Sequence, residues 1–211
     1  MNTEITQLYA LISVYYKNFP GFDDLVRAIH TSGRLIISTG GTADHIRSLD
    51  IDDVIEVSDL TGFPEMMGGR VKTLHPMVFA GILGRLTEMD DIRAMQEHGI
   101  PNIDIVVCNL YPFAEEMAKG GQTTHQKIVD KIDVGGPSMI RAAAKNHERV
   151  LVVTDQEDYQ SVADLLSKTG QEMSLELREH FAWKAFRVTL QYETFIEGYF
   201  WKRYLDRNER V

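Results

Sequence analysis

The segment Leu35-Ile36-Ile37-Ser38-Thr39-Gly40-Gly41-Thr42 joins a short apolar run to two glycines and then to a helical pattern. Residues 35–38 are predicted as a buried strand, and residues 42–49 as the helix that follows it. A strand that runs through a glycine loop directly into a helix is typical of the α/β class. The segment therefore predicts a parallel sheet with helices on its faces.

The same alternation continues on both sides of this segment. Helical spacing is found at residues 22–31, and further strands are predicted at residues 9–14, 54–57, 103–108 and 150–153. Continuous apolar strands separated by helices favour a parallel sheet that is covered on both faces. We therefore expect a three-layer α/β domain with a mainly parallel sheet.

The C-terminal part of the chain, about residues 174–205, has a helical pattern throughout. One apolar stripe steps by three and four along it, through Phe181, Ala185, Val188, Tyr192, Phe195 and Tyr199. This stripe is expected to pack against the sheet domain or against a second subunit. Because no repeat or Pro/Gly/Ser-rich linker interrupts the sequence, residues 1–211 are interpreted as one domain with a helical extension.

Composition excludes several classes of function. The chain has 22 Lys and Arg against 31 Asp and Glu, so we expect no nucleic-acid partner. No segment approaches the about 18 uninterrupted apolar residues of a membrane span, and Met1-Asn2-Thr3-Glu4 does not resemble a signal peptide. These features predict a cytoplasmic globular protein without a membrane partner. An acidic chain binds a small anion only where cations and backbone N–H groups are concentrated locally.

The first candidate site is the loop at residues 38–43, which lies between a strand and a helix. Its two glycines allow close approach of a ligand, and the helix N-terminus offers unpaired N–H groups. In an open α/β sheet such a loop lies at the carboxyl end of a strand, where ligands bind. Phosphate binding and a tight turn capped by Thr42 are the two interpretations that this loop leaves open.

The second candidate is the long, weakly periodic stretch at residues 58–76. Loops of this length inside a compact domain are usually functional or disordered. Arg70 and Lys72 alternate, so both side chains are expected to face one side of an extended segment. The guanidinium group of Arg70 suits bidentate contact with a phosphate, and the ammonium group of Lys72 suits a point-charge contact or proton transfer. His75 is either a general base or a structural hydrogen-bonding group.

Two further segments place polar groups after predicted strands or beside glycines. Asn109 and Tyr111 follow the strand at residues 103–108, and Tyr111 is either a ligand contact or a core side chain. Asp133 precedes the pair Gly135-Gly136, and Lys145 lies about two turns into the next helix. A carboxylate and an ammonium group shift each other's proton affinity when they are close, although such a pair is also a common structural ion pair.

Several other kinds of site are excluded. The seven histidines show no metal-ligand spacing, and neither G-x-G-x-x-G nor a Walker-type loop is present. The single cysteine, Cys108, rules out an internal disulfide and is expected to be inert core. Tyr15 and Tyr16, beside Lys17, are interpreted either as packing residues or as a lid over a ligand.

Read together, these segments resemble the IMP cyclohydrolase domain of the bifunctional purine biosynthesis enzyme. The resemblance covers most of the chain, and it depends on the number and order of its motifs. They are Ser38-Thr39-Gly40-Gly41-Thr42-Ala43, Thr61-Gly62-Phe63-Pro64-Glu65, Gly69-Arg70-Val71-Lys72-Thr73-Leu74-His75-Pro76, Asn109-Leu110-Tyr111-Pro112-Phe113, Ile132-Asp133-Val134-Gly135-Gly136 and Arg141-Ala142-Ala143-Ala144-Lys145-Asn146-His147.

The resemblance implies a methylglyoxal-synthase-like fold and closure of 5-formamidoimidazole-4-carboxamide ribotide to IMP. It implies no metal or other cofactor, and we expect a homodimer. The catalytic residues that it implies are Lys72, Tyr111, Asp133 and Lys145. The substrate-binding residues that it implies are Ser13, Lys17, Ser38, Thr39, Gly40, Gly41, Thr42, Arg70, Thr73, Asn109, Val134 and Gly135.

In the mechanism expected from this resemblance, Lys72 and Tyr111 stabilise the formyl oxygen, while Asp133 and Lys145 handle the proton of the attacking nitrogen. The turn at residues 13–19 departs from the family, because Tyr15 replaces a small hydroxyl residue and Phe19 replaces a glycine. The chain also lacks the formyltransferase domain, so a separate AICAR formyltransferase is expected to supply the substrate. A nucleotide-sensing module and a methylglyoxal-synthase relative are the competing interpretations.

Overall fold

A parallel β-sheet lies at the centre of the computed structural model, which describes residues 6–111, 113, 117, 124–169 and 173–208. Its strands are β1 (Leu8–Ser13), β2 (Leu35–Ser38), β3 (Ile55–Glu56), β4 (Asn102–Cys108) and β5 (Leu151–Val153). They lie in the order β3-β2-β1-β4-β5, and every neighbouring pair is parallel. The predicted α/β fold is confirmed. Residues 1–4, Pro112 and Val211, which the sequence interpretation also used, lie outside the described residues.

Helices cover both faces of this sheet. Within the described part of the chain they are α1 (Phe22–Thr31), α2 (Gly40–Arg47), α3 (Val57–Thr61), α4 (Pro76–Leu83), α5 (Met89–Glu97), α6 (His125–Val129), α7 (Gly135–Lys145), α8 (Tyr159–Thr169) and α9 (Leu175–Asn208). One core cluster joins Ala10 and Ile12 of β1 to α1, α2 and α8, while a second joins Leu11 to α4, α7 and α9. Because side chains alternate along a strand, the sheet forms the middle of the three predicted layers.

Several predicted boundaries differ from the structure. Helix α2 begins at Gly40 instead of residue 42, and β3 keeps only two of its four predicted residues because the chain turns into α3 at Val57. The stretch at residues 58–76, predicted as a loop, contains the end of α3 and a 3-10 turn at Met67–Gly69. Helix α2 begins earlier than its apolar periodicity because Gly40 and Gly41 form its first turn.

The strand order places a topological switch point between β1 and β4. The chain runs from β1 outward to β2 and β3, and then crosses to the other side to form β4 and β5. The last residues of the two central strands, Ser13 and Cys108, are paired in register. Loops that leave adjacent strands in opposite directions open a crevice at this edge, where ligands of open α/β sheets bind.

The C-terminal helix α9 has 34 residues and is therefore about 50 Å long. It packs on α7 and on β5. The predicted stripe is buried at Phe181, Ala185 and Tyr192, but Phe195 is 49% exposed, and Ile196 packs against the core instead. A spacing of three after Tyr192 was the wrong choice, since a spacing of four keeps the stripe on the buried face. No helix in the described ranges is both long and apolar enough to span a membrane.

Candidate active site

A cavity of about 590 Å³ lies at the carboxyl edge of the sheet, over the ends of β1 and β4. It brings together most of the residues that the sequence predicted for a site. Those that line it are Ser13, Lys17, Thr39, Gly41, Thr42, Arg70, Lys72, Thr73, Asn109, Tyr111, Asp133, Val134 and Gly135. Three predicted residues, Ser38, Gly40 and Lys145, do not belong to its lining.

The end of the cavity nearest β1 and β2 is built from small hydroxyl side chains, and we call it the hydroxyl end. The Ser13 and Thr39 hydroxyl oxygens lie 3.2 Å apart. The Thr42 hydroxyl donates to the carbonyl of Val14 and accepts from the N–H of the same residue. Thr42 is therefore not the helix cap, because Thr39 occupies that position and Thr42 ties α2 to the turn after β1.

Ser38 and Gly40 shape the hydroxyl end from behind. The Ser38 side chain is fully buried and donates a 2.7 Å hydrogen bond to the carbonyl of Ile12, which joins the ends of β1 and β2. Gly40 has a φ of 43°, and a Cβ atom there would lie 2.9 Å from the Lys72 Nζ atom. The left-handed backbone favours glycine at this position, and the Lys72 ammonium group lies against it.

Asn109 organises the turn that departs from the family. Its side-chain oxygen accepts from the backbone N–H of Tyr15 at 2.6 Å and from that of Tyr16 at 3.4 Å. Its amide nitrogen donates to the buried hydroxyl of Tyr159 at 2.7 Å. The side chain that was predicted to contact a base thus also holds the turn after β1 at the cavity edge.

The long charged side chains of the cavity belong to residues 65–72 and 130–131, and we call this group the charged end. The Lys72 ammonium group pairs with the Glu65 carboxylate at 2.9 Å, and Arg70 pairs with Asp130 at 2.5 Å. Both cations line the cavity, although Arg70 has a helical backbone and does not lie in the extended segment that their alternation predicted. Each one already holds a carboxylate, so an incoming anion would compete with that carboxylate for the cation.

An aromatic wall connects the two ends. The Tyr111 ring lies 5.2 Å from the ring of Tyr15, and the Lys131 ammonium group lies 5.4 Å from the Tyr111 ring centroid. Tyr111 is 46% exposed, so it is not the core tyrosine of the alternative interpretation. Tyr15 packs against both Tyr111 and Tyr16, and it lines the cavity that a ligand would enter.

Asp133 lies at the start of α7, where its carboxylate accepts a 2.9 Å hydrogen bond from the N–H of Gly136. Burial raises the pKa of the Asp133 carboxyl above its ordinary value, while backbone N–H groups of Gly136 and Gly135 oppose that shift. A Cβ atom at Gly136 would collide with this carboxylate. The absence of a side chain at Gly136 therefore leaves room for the Asp133 carboxylate.

Lys145 is the last residue of α7, and its side chain is exposed. Asp133 precedes the first turn of the same helix, whose 11 residues rise about 16 Å. The predicted ion pair between Asp133 and Lys145 does not form, because a helix carries its two ends apart. Lys72, Tyr111 and Asp133 share one cavity of this chain, and Lys145 lies outside it.

Several lining residues were missed by the sequence interpretation. Lys131 and Asp130 were not singled out, although they lie just before Asp133, and Glu65 was quoted without a role. The lining carries four cations and three carboxylates within the described residues, whereas the chain is strongly acidic overall. These charged groups are Lys17, Arg70, Lys72 and Lys131, with Glu65, Asp130 and Asp133.

Two other candidates have structural explanations. The His75 ring accepts a hydrogen bond from the N–H of Met77 at 3.2 Å and so caps α4, which fits the structural interpretation of this histidine. Burial raises the pKa of the Cys108 thiol, so it stays protonated in the core. No cluster of three potential metal ligands occurs among the residues that the structure describes.

These features define an α/β domain with a polar, cation-bearing cavity at the switch point of its sheet. The family model for the MGS-like domain matches residues 21–138, more than half of the chain. The chain therefore belongs to the MGS-like domain family. Residues 143–210 match a second family model, described as AICARFT/IMPCHase bienzyme. The resemblance inferred from the sequence is confirmed at this level.

Individual relatives agree with both family models. The chain is 47% identical over 195 residues to the "Bifunctional purine biosynthesis protein PurH" of Aquifex aeolicus. The aligned region covers 92% of the chain and 37% of that protein. The protein of the same description from Oceanobacillus iheyensis is 47% identical over 90% of the chain and 36% of its own length. The chain thus spans little more than a third of these relatives.

The chain is also similar to a solved structure over most of its length. The crystal structure of ForH has 36% sequence identity and a TM-score of 0.75. The match covers 91% of the present chain and 98% of ForH. The architecture found here is therefore shared with ForH over most of the chain.

Proposed function

We propose that this chain is an IMP cyclohydrolase, which closes 5-formamidoimidazole-4-carboxamide ribotide to IMP with loss of water. The observation that carries the proposal is the meeting of Lys72, Tyr111 and Asp133 around one cavity that also has a hydroxyl-rich end. The similarity to the PurH proteins supports the same assignment. We propose that residues 1–211 act as one cytoplasmic domain, and that a formyltransferase supplies the substrate.

The hydroxyl end is suited to bind the phosphate and ribose of the ribotide. Lys17 supplies a cation, and the N-terminus of α2 supplies backbone N–H groups and a positive dipole end. Binding the phosphate at this end orients the base toward the charged end. Since the two reacting groups belong to one molecule, holding the reactive rotamer supplies up to about 7–11 kcal/mol of the barrier.

Lys72 and Tyr111 are assigned to the formyl oxygen. As the carboxamide nitrogen attacks the formyl carbon, negative charge develops on that oxygen, and an ammonium and a phenol hydroxyl stabilise it. The same groups protonate the oxygen when it leaves as water. The Lys72–Glu65 ion pair holds the ammonium group at the cavity wall until substrate enters.

Asp133 is assigned to the proton of the attacking nitrogen. Burial makes its carboxylate a stronger base than an exposed one, because the raised pKa favours the protonated form. The N–H groups of Gly135 and Gly136 hydrogen-bond to this carboxylate, so they stabilise the charged form of the base. In this proposal the chemistry requires no metal or organic cofactor.

The test is a direct assay on purified protein. The formamido ribotide should be converted to IMP in the presence of a metal chelator, with a change in ultraviolet absorbance. A folded sample that shows no turnover at any substrate concentration would contradict the assignment as an IMP cyclohydrolase. Measuring IMP binding on the same sample separates a nucleotide-sensing module, which binds without turnover, from a methylglyoxal-synthase relative, which acts on a different substrate.

We also propose that the chain forms a homodimer in which Lys145 serves the cavity of the second copy. Exposed aromatic side chains on α9, including Trp183 and Trp201, offer an apolar surface for association. Lys145 does not line the cavity of its own chain, so we assign its catalytic role to the cavity of the second copy. A mixture of Lys72→Ala and Lys145→Ala chains should regain about a quarter of wild-type activity, because half of its dimers keep one intact site. Failure of the mixture to exceed its components contradicts this arrangement.

A further inference from the structure

The helix α9 reaches the active-site turn through one hydroxyl group. The backbone N–H of Asp133 donates a 2.7 Å hydrogen bond to the Tyr192 hydroxyl oxygen. The same hydroxyl donates to the carbonyl of Lys131 at 3.2 Å. Tyr192 therefore bridges both sides of the turn that carries Asp133, from a position 59 residues later in the chain.

The surroundings of Tyr192 keep this bridge in place. Its side chain is buried, and its ring packs edge-on against Phe113 at 6.2 Å between centroids. Burial raises the pKa of Tyr192 to about 12, so the hydroxyl keeps the proton that it donates. A buried hydroxyl with both a donor and an acceptor partner has one preferred orientation, and so has the backbone that it binds.

We propose that Tyr192 is a positioning residue that fixes the backbone of the Asp133 turn and thereby aims the Asp133 carboxylate into the cavity. The proposal rests on the proposed function for the role of Asp133. The carboxylate is held at one end by the N–H of Gly136, and the backbone that bears it is held at the other end by Tyr192. Removing the Tyr192 hydroxyl keeps the Asp133 carboxylate but releases the backbone that bears it.

The chain contains a matched control on the same helix. Tyr199 lies two turns after Tyr192 and packs edge-on against the same Phe113 ring at 6.1 Å. Its hydroxyl also makes a partly buried contact, 2.7 Å from Nδ1 of His125, but no hydrogen bond joins it to the Asp133 turn. Tyr192→Phe and Tyr199→Phe therefore each remove one hydroxyl from α9 next to Phe113, and only the first one acts on Asp133.

The first experiment measures amide hydrogen exchange in the absence of substrate. Tyr192→Phe should increase the exchange rate of the Asp133 amide about tenfold, since the amide loses its acceptor. Tyr199→Phe should leave that amide unchanged. Equal protection of the Asp133 amide in wild type and Tyr192→Phe overturns the proposal, whether or not the wild-type chain has cyclohydrolase activity.

The second experiment measures kcat and KM for ring closure in the same variants. Tyr192→Phe should lower kcat about tenfold with KM within about twofold, because misplacing a catalytic group acts on the transition state. In an Asp133→Asn background the same change should have no further effect, since Tyr192 acts through Asp133. An equal loss of kcat in both backgrounds, or an equal loss in Tyr199→Phe, would mean that Tyr192 only stabilises α9. If the wild-type chain shows no turnover, the proposed function is wrong. The exchange experiment then decides by itself whether Tyr192 fixes the Asp133 backbone.

Discussion

The two ends of the cavity are built in opposite ways. At the hydroxyl end, Ser38 and Thr42 are short, buried and hydrogen-bonded to backbone carbonyls at the ends of the central strands. At the charged end, Arg70 and Lys72 are long side chains on a loop, and each one pairs with a carboxylate that is itself about half exposed. One end is fixed by the sheet, whereas the other is held by contacts that a ligand can displace.

This difference assigns separate tasks to the two ends. A rigid hydroxyl end binds the unreactive part of a substrate without having to reorganise. Side chains whose ion pairs are partly exposed contribute little to stability, so they are free to exchange a carboxylate for a ligand. Substitutions at the hydroxyl end should therefore change stability and binding, whereas those at the charged end should change the rate of the chemical step.

The largest effect is expected for Lys72→Ala. Removing the ammonium group should lower kcat by about 10²–10³-fold, because the Tyr111 hydroxyl that remains carries no positive charge to stabilise the leaving oxygen. The melting temperature should change little, since the Lys72–Glu65 pair is partly exposed. Lys127→Ala, which removes an exposed lysine near the cavity, is the control for charge. A Lys72→Ala enzyme with the wild-type rate would contradict the division between the ends.

The next effect concerns Asp133 and pH. If Asp133 is the base, kcat/KM should rise with pH through its pKa, and this acid limb should lie above the ordinary value of 3.8 because burial raises that pKa. A raised folded-state pKa also means that stability is lost as pH rises through it. Asp133→Asn should therefore lower kcat by about 10²-fold and unfold at neutral pH no more easily than wild type.

A melting curve and a pH–rate profile on the same two proteins check both parts. An acid limb at or below pH 3.8 would show that another group titrates in the profile. A marked drop in the melting temperature of Asp133→Asn at pH 7 would show that the ionised carboxylate stabilises the turn. Either result would mean that Asp133 stabilises the structure, as the residues of the hydroxyl end do, and is not the base.

A smaller effect on activity is expected for Thr42→Val. The change removes a hydroxyl that both donates to and accepts from the backbone of Val14, and it leaves those groups unpaired. The free energy of unfolding should fall by about 1–3 kcal/mol, and KM should rise while kcat stays near the wild-type value. Thr31→Val, at an exposed position of α1, is the matched control in denaturant unfolding. A fall in kcat without a loss of stability would break the comparison.

The smallest effect is expected for Tyr15→Ser, which restores a small hydroxyl residue to the turn after β1. Tyr15 is 44% exposed, and its backbone N–H keeps its bond to Asn109 whatever the side chain. Stability should change by less than about 1 kcal/mol, and kcat should stay within about twofold. KM is the sensitive quantity, because the Tyr15 ring forms part of the cavity wall. A large loss of kcat would mean that the aromatic wall takes part in the reaction.

Local sequence patterns predicted the sheet and the hydroxyl end well. The strands are short apolar runs, and the loops that follow them are fixed by the strands, so Ser13, Thr39 and Thr42 meet at one edge of the sheet. The charged end was predicted less completely. The Lys72–Glu65 and Arg70–Asp130 pairs depend on where two loops lie in space, and no periodicity encodes that placement.

Lys145 and Phe195 show why the remaining predictions failed. Proximity in sequence suggested a pair between Asp133 and Lys145, but the rise of α7 separates them. Phe195 fits an apolar stripe as well as Ile196 does, and only the packing of α9 on the core decides between them. In both cases the deciding quantity is three-dimensional distance along or around a helix.

The hydrogen bond between the Asp133 amide and Tyr192 has a consequence for the order of events during synthesis. The two residues are 59 positions apart, so a growing chain can form the sheet edge and the cavity wall before Tyr192 has been made. At about 5–20 residues per second, the interval between them lasts several seconds. During those seconds the nascent domain has its substrate pocket without the last hydroxyl of its turn. Under the proposed function, ring closure at full rate would therefore begin only when the final helix has docked.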